Sequence, residues 1–218
     1  MVGWPMLTKL NPDKAFIFRI IHVDNVPWLL ENGLHCRSSS NFDSNFVNIG
    51  NSDLIDKRRH RVIPIATGGT LSDYIPFYFT PFSPMMYNIK TGWGGITKRS
   101  NNEIIILVSS LHKLSDDGVS FVFSDRHAYL ETAEFSSSPA DLEMIDWKLL
   151  RSKDFKRSND DPGRVERYQA EALVHRHMPI KSLIGMGCYS RNVENHIDQL
   201  LTQREIRLKV CITQNWYF

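Results

Sequence analysis

The run Ile104-Ile105-Ile106-Leu107-Val108 limits the possible folds of this chain more than any other stretch. Stiff β-branched side chains dominate it and favour extended backbone over helix. It is also far short of the roughly twenty apolar residues that a bilayer crossing needs. It predicts a strand from Glu103 to Ser109. The segment Ala15-Phe16-Ile17-Phe18-Arg19-Ile20-Ile21-His22 predicts a second, largely buried strand with Arg19 and His22 as polar interruptions. Further strands are expected at Tyr74–Pro81, Phe121–Phe123, Ala170–Val174 and Ile180–Tyr189, and by alternation at Arg207–Ile212. Helical signals are fewer. Asp24–Leu34 carries Asp24 or Asn25 as N-cap, Pro27 in the first turn and Gly33 at the end. Short helices are expected at Leu54–Arg61, at Met85–Met86 and at Asp141–Leu150. Asn192–Leu201 sets Val193, Ile197 and Leu200 on one face. Ser38–Asn51 is polar and predicts a loop, and Ala66–Leu71 a glycine turn. There is neither an internal repeat nor a long linker. The pattern predicts one α+β domain over residues 1–218, with many strands and few long helices.

Charge matters here through its distribution. The net charge is only +2, yet Lys57-Arg58-Arg59-His60-Arg61 is a dense cationic block and a second spans Lys153–Arg167. Such patches attract polyanions locally, or else form solvated surface loops. The three cysteines, Cys36, Cys188 and Cys211, have no Cys-x-x-Cys pair. A disulfide scaffold and a zinc ribbon are therefore not expected, and a reducing cytoplasm is. Met1–Pro5 lacks a basic region followed by an apolar core, so no signal peptide and no membrane association are expected.

Most chemistries lack their residues. No Gly-x-Ser-x-Gly elbow, phosphate-binding Gly-x-x-x-x-Gly-Lys or Gly-x-Gly-x-x-Gly turn occurs. His175-Arg176-His177 would put two imidazoles on one face of a strand, but no further ligands accompany them, and no metal is expected. What remains is a dispersed set: Arg19, the Arg58 and Arg59 pair, Tyr78, His127 and Glu171. Glu171 draws attention because it stands in the apolar run Ala170-Glu171-Ala172-Leu173-Val174, where an acid either alternates to solvent or sits in a cleft for a reason.

Four motifs in order tie the set together. They are Phe18-Arg19-Ile20-Ile21-His22-Val23-Asp24-Asn25, Gly68-Gly69-Thr70-Leu71-Ser72-Asp73-Tyr74-Ile75-Pro76-Phe77-Tyr78-Phe79 with Ser83-Pro84-Met85, Phe121-Val122-Phe123-Ser124-Asp125-Arg126-His127, and Gln169-Ala170-Glu171. Together they resemble the DarT family, DNA ADP-ribosyltransferase toxins of bacterial toxin–antitoxin systems. The resemblance runs from about Phe16 to Tyr217. It implies an ADP-ribosyltransferase-like split β-sheet core with flanking helices, NAD⁺ as co-substrate and no metal. It also implies a glycosyltransferase or nucleotidyltransferase that modifies a base of single-stranded DNA in a short sequence context. A macrodomain antitoxin, DarG, is the implied partner and the bacterial cytoplasm the implied location.

By the same resemblance Glu171 is the catalytic acid, Arg58 the catalytic arginine with Arg59 as rival, and His127 the histidine of Asp-Arg-His. Arg19, His22, Gly33, Tyr78 and Met85 are assigned to NAD⁺. Arg19 stands where many members carry a histidine. Lys57, Arg59 and Arg157 are assigned to the nucleic acid. Thymine is the favoured base and guanine the second. Modification of RNA or protein remains open, as does a non-enzymatic single-strand-binding module. Either Arg58, acting electrostatically, or His127 would manage the proton of the base.

Overall fold

The computed structural model describes residues 9–65 and 67–218. The leader reading of Met1–Pro5 and Ala66 of the glycine turn lie outside the described residues. In chain order the strands are β1 (Phe16–His22), β2 (Leu34–His35), β3 (Tyr74–Tyr78), β4 (Ile104–Ser110), β5 (Phe121–Ser124), β6 (Phe135–Ser136), β7 (Glu171–His175), β8 (His177–Met178), β9 (Gly185–Cys188) and β10 (Lys209–Ile212). The helices are α1 (Val26–Asn32), α2 (Ser52–Arg58), α3 (Pro84–Thr91), α4 (Leu111–Asp116), α5 (Trp147–Ser152), α6 (Arg164–Tyr168) and α7 (Arg191–Gln203).

Eight strands form one sheet in the order β10-β9-β4-β1-β3-β7-β5-β6, and β2 pairs with β8 in a small second sheet. The isoleucine run lies where its composition demands. Every residue of β4 is buried, and the strand pairs on one side with β1 over its whole length and on the other with β9. Among the described residues, only β9 and β10 run parallel within the large sheet. The joint between β1 and β3 is the weakest. It has a single register pair, Phe18↔Tyr78, against seven pairs from Phe16↔Ser110 to His22↔Ile104 on the far side of β1. The sheet is therefore split between these strands, as the family resemblance implies. Across the split Arg19 Nη1 donates to Pro76 O at 2.7 Å.

Several elements differ from expectation, each for a local reason. Asp141–Leu150 is not one helix. A 3-10 turn ends at Met144, Ile145 is extended, and Asp146 caps α5 by accepting from Leu149 N–H at 2.9 Å. Strand β9 starts only at Gly185, because Pro179 opens a 3-10 turn at Ile180–Ser182. Helix α6 arises at the end of the cationic block Lys153–Arg167. There Arg164 meets Asp154 at 2.9 Å and Arg167 meets Asp161 at 2.9 Å, so much of that positive charge is locally neutralised. His175 and His177 do not share a strand face. Arg176 adopts φ +57° between them, His175 stacks on Tyr74 and His177 on His35. Among the described residues no cluster of His, Cys, Asp or Glu has the makings of a metal site, and no helix is long and apolar enough to cross a membrane.

The Ser38–Asn51 loop is irregular as expected, but it is tied down. Buried Asn25 donates to Val47 O at 3.0 Å and accepts from Val47 N–H at 2.8 Å, and Phe42 packs on Phe46 and under Arg37. The loop thereby roofs the split in the sheet.

Candidate active site

Register explains how the acid of the late strand reaches the split. Directly paired residues of neighbouring strands share a face, so Tyr78↔Glu171 and Pro76↔Leu173 point the same way. Glu171 is 2% exposed, which for a carboxylate requires compensation. Three groups supply it. Arg58 Nη1 donates to Oε2 at 2.9 Å and to Oε1 at 3.2 Å, Ala128 N–H donates to Oε1 at 3.1 Å, and His127 Nδ1 lies 3.3 Å from Oε1. Arg58 comes from the last turn of α2, which Asn51 caps by accepting from Leu54 N–H at 3.0 Å. His127 and Ala128 come from the turn after β5, where His127 N–H donates to Glu166 O at 2.9 Å. Arg58 is thus the arginine on the acid. Its neighbour Arg59 faces outward and pairs with Asp56 at 3.5 Å.

Glu171, Arg58 and His127 line a cavity of about 140 Å³, together with Arg19, Tyr78, Met85 and loop residues Phe46 and Asn48. A second cavity of about 100 Å³ shares Arg19, Phe46, Asn48, Arg58 and Pro76 with it, and the two make one elongated cleft. Tyr78 O–H points at Met85 Sδ, 3.9 Å away. Two guanidinium nitrogens in this cleft, Arg19 Nε and Arg58 Nη2, are buried without a hydrogen-bond partner within the protein. Such donors are costly to bury and suit an anionic, hydroxyl-rich ligand. The cleft therefore fits a dinucleotide such as NAD⁺, with Arg19 and Arg58 as the donors that would hold it.

Burial and crowding shape the titration of the site. Burial, reinforced by the nearby Arg58 charge, brings Arg19 down to about 10, so it stays cationic at neutral pH. Burial, then the Glu171 carboxylate, pushes the Tyr78 phenol upward, and it remains a neutral donor. Burial lowers His127 despite the attraction of Glu171, which favours a neutral ring. His35 and His175 are lowered in the same direction, chiefly by burial, with the charges of His177 and Arg176 adding to it. A depressed histidine pKa means the folded chain binds fewer protons than the unfolded one as pH falls through the ordinary value of 6.5. Stability should therefore be full above that value and decline on acidification below it. Melting temperatures measured at pH 7.5 and 5.5 should drop between the two, and His127→Gln should shrink the drop. An equal drop in the variant would remove His127 from this account.

The remaining expected residues are distributed unevenly. His22 is not brought to the cleft. Strand alternation turns it away from Arg19, and its buried ring accepts from Asp24 N–H at 3.2 Å and lies 3.4 Å from Glu103. Gly33 borders a small cavity beside Arg19. Its φ is +75°, and a Cβ there would stand 2.6 Å from Met178 O, so glycine is what lets β8 close on the end of α1. Lys57 is exposed beside a shallow groove that runs to Tyr129, and Arg157 is exposed and lines neither cavity of the cleft. Sequence reasoning missed the Ala128 amide, since a backbone group has no residue type to signal it, and it missed Phe46 and Asn48, whose loop carries no motif.

The chain is similar to known proteins along nearly its whole length. The family model described as "ssDNA thymidine ADP-ribosyltransferase, DarT" matches residues 18–218. A DNA ADP-ribosyl transferase of Escherichia coli O127:H6 (strain E2348/69 / EPEC) is 51% identical over 210 residues, 96% of each chain. The structure of Thermus sp. 2.9 DarT in complex with ADP-ribosylated ssDNA superposes with a TM-score of 0.86 at 30% identity, covering 95% of this chain and 98% of that one. The same Thermus protein in complex with NAD⁺ gives a TM-score of 0.79 at 30% identity, covering 95% and 99%.

Proposed function

The chain belongs to the DarT family as an NAD⁺-dependent DNA ADP-ribosyltransferase, and from that premise we propose that it is the toxin of a toxin–antitoxin pair. On this reading it transfers ADP-ribose to thymine in single-stranded DNA within a short sequence context. A macrodomain antitoxin of the DarG kind is its partner, and residues 1–218 act as one catalytic domain. The observation that carries the reading is the buried Glu171, held by Arg58 and the Ala128 amide at the split between β1 and β3.

When bound, NAD⁺ supplies the ADP-ribosyl group, and its bond from ribose C1 to nicotinamide breaks as a bond from C1 to a ring nitrogen of the base forms. Glu171, ionised and oriented by Arg58, binds ribose hydroxyl and faces the positive charge that develops at C1. Arg19 holds the cofactor side of the cleft with its unpartnered Nε. For His127 to take the ring-nitrogen proton at Nε2, its Nδ1 must carry the hydrogen and turn it to Glu171 Oε1, 3.3 Å away, in exchange for the contact in which Nδ1 accepts from Tyr129 N–H at 3.2 Å. A guanidinium is too weak a base for that task, so Arg58 contributes charge instead. The moved bond is glycosidic, which makes the class pentosyl transfer and not nucleotidyl transfer.

Recognition of single strands follows from access, because a pairing nitrogen is hidden in a duplex. Exposed Lys57, Arg59 and Arg157 suit phosphates, and the exposed rings of Trp93 and Tyr87 suit stacking on bases. The test incubates the protein with NAD⁺ and short single strands that each lack one base, and locates the added mass after nuclease digestion. Adducts on thymine alone support the reading. Adducts on guanine would replace the base, and adducts only on RNA or protein would replace the substrate class. Growth arrest on expression, relieved by a co-expressed macrodomain partner, checks the toxin role.

A further inference from the structure

Three residues beyond Arg58, on the same segment, Arg61 reaches across to the turn that carries the other Glu171 contacts. Its Nη2 donates to Leu130 O at 2.8 Å and its Nε to Ala128 O at 3.5 Å. Leu130 N–H donates back to His127 O at 3.0 Å, so residues 127–130 close one tight turn. The peptide planes of this turn show what the clamp controls. In a trans peptide the carbonyl and the following N–H point in opposite directions from one rigid plane. Pulling on Ala128 O therefore fixes the direction of Tyr129 N–H, which lies 3.2 Å from His127 Nδ1. Pulling on His127 O through the turn fixes the direction of Ala128 N–H, which donates to Glu171 Oε1. Arg61 is itself anchored. Its N–H donates to Arg58 O at 3.4 Å, its carbonyl accepts from Leu71 N–H at 2.9 Å, and the next residue bridges Thr70.

We infer that Arg61 is a positioning residue for the transfer reaction, clamping the 127–130 turn to the segment that carries Arg58 so that all the groups on Glu171 keep register. This rests on the reading of the cleft as the transferase centre. The flat guanidinium suits the task because two of its nitrogens bridge two carbonyls, whereas a lysine ammonium is a single point charge on a flexible stem. The side chain is not among the residues lining the cavity around Glu171, so its removal leaves the NAD⁺ contacts in place.

The experiment compares wild type, Arg61→Ala and Arg61→Lys for turnover on a single-stranded oligonucleotide, NAD⁺ affinity by calorimetry, and melting temperature. Turnover should fall about ten- to a hundredfold, up to the size of effect that misplacement of reacting groups by about 1 Å produces, with NAD⁺ affinity unchanged. Added methylguanidinium should restore turnover in Arg61→Ala. Arg61→Lys keeps the charge and the packing stem, so it should stay folded and still lose turnover. Wild-type turnover in both variants overturns the inference, as does a loss of NAD⁺ affinity in step with the loss of turnover. A wild-type protein that modifies no oligonucleotide would overturn the proposed function and this inference with it, whereas an active wild type beside an equally active Arg61→Ala removes the positioning role alone.

Discussion

Glu171→Gln should reduce ADP-ribose transfer by at least about 10³-fold while NAD⁺ still binds, since removing one preorganised group facing developing charge costs about 10²–10³ and this one also orients the groups around it. The substitution is nearly isosteric but removes the negative charge. The carboxylate accepts from Arg58 Nη1 on both oxygens and from Ala128 N–H. An amide has one accepting oxygen, so its NH₂ must face at least one of those donors, and it brings no negative charge to the ribose. Arg58 and Arg19 remain as donors for the dinucleotide. Single-turnover transfer to an oligonucleotide and calorimetric NAD⁺ binding check the two halves. Transfer within about tenfold of wild type, less than the loss of even one such group produces, would mean that another residue stabilises the charge and that Glu171 is a structural acid.

Arg58→Ala should have the largest effect on stability. It strands a carboxylate that is 2% exposed with only the Ala128 amide and His127 beside it. Removing one member of a buried pair costs about 3–5 kcal/mol. Transfer should fall by about 10²–10³ as the carboxylate loses its orientation. Arg59→Ala is the control from the adjacent position. Its side chain is 55% exposed and meets Asp56 at 3.5 Å. An exposed pair of that kind is worth about 0–1 kcal/mol. Urea unfolding of the two variants beside wild type checks the contrast, and equal destabilisation would refute the assignment of Arg58 as the partner of the acid.

These two arginines also show how far residue order alone can be read. The motifs Phe18–Asn25, Asp73–Phe79, Ser83–Met85, Asp125–His127 and Gln169–Glu171 mark the chain as a DarT relative, and they name Glu171, His127, Arg19, Tyr78 and Met85, all of which line one cavity. Neighbouring arginines on a short basic helix are chemically alike, and only the turn of α2 selects Arg58 over Arg59. His22 lies away from the cleft because a motif records which residues are present, while strand alternation decides which of them share a face. For the cationic stretch Lys153–Arg167 the charges alone left both a polyanion patch and a solvated loop open, because counting charges ignores pairing, and Asp146, Asp154 and Asp161 take up Arg164 and Arg167.

What the sequence determined by itself was local and compositional. The β-branched run placed β4, Pro27 and Gly33 bounded α1, and the ordered motifs identified the family. The tertiary structure decided everything that depends on residues distant in the chain. It set the split between β1 and β3, the clamp of Asn25 on Val47, the meeting of Arg58 with Glu171 across 113 positions, and the Ala128 amide that completes the carboxylate's contacts. The physical reason is that periodicity and propensity act over a few residues, whereas the solvation of a buried charge is supplied by whichever donors the folded backbone brings within about 3 Å.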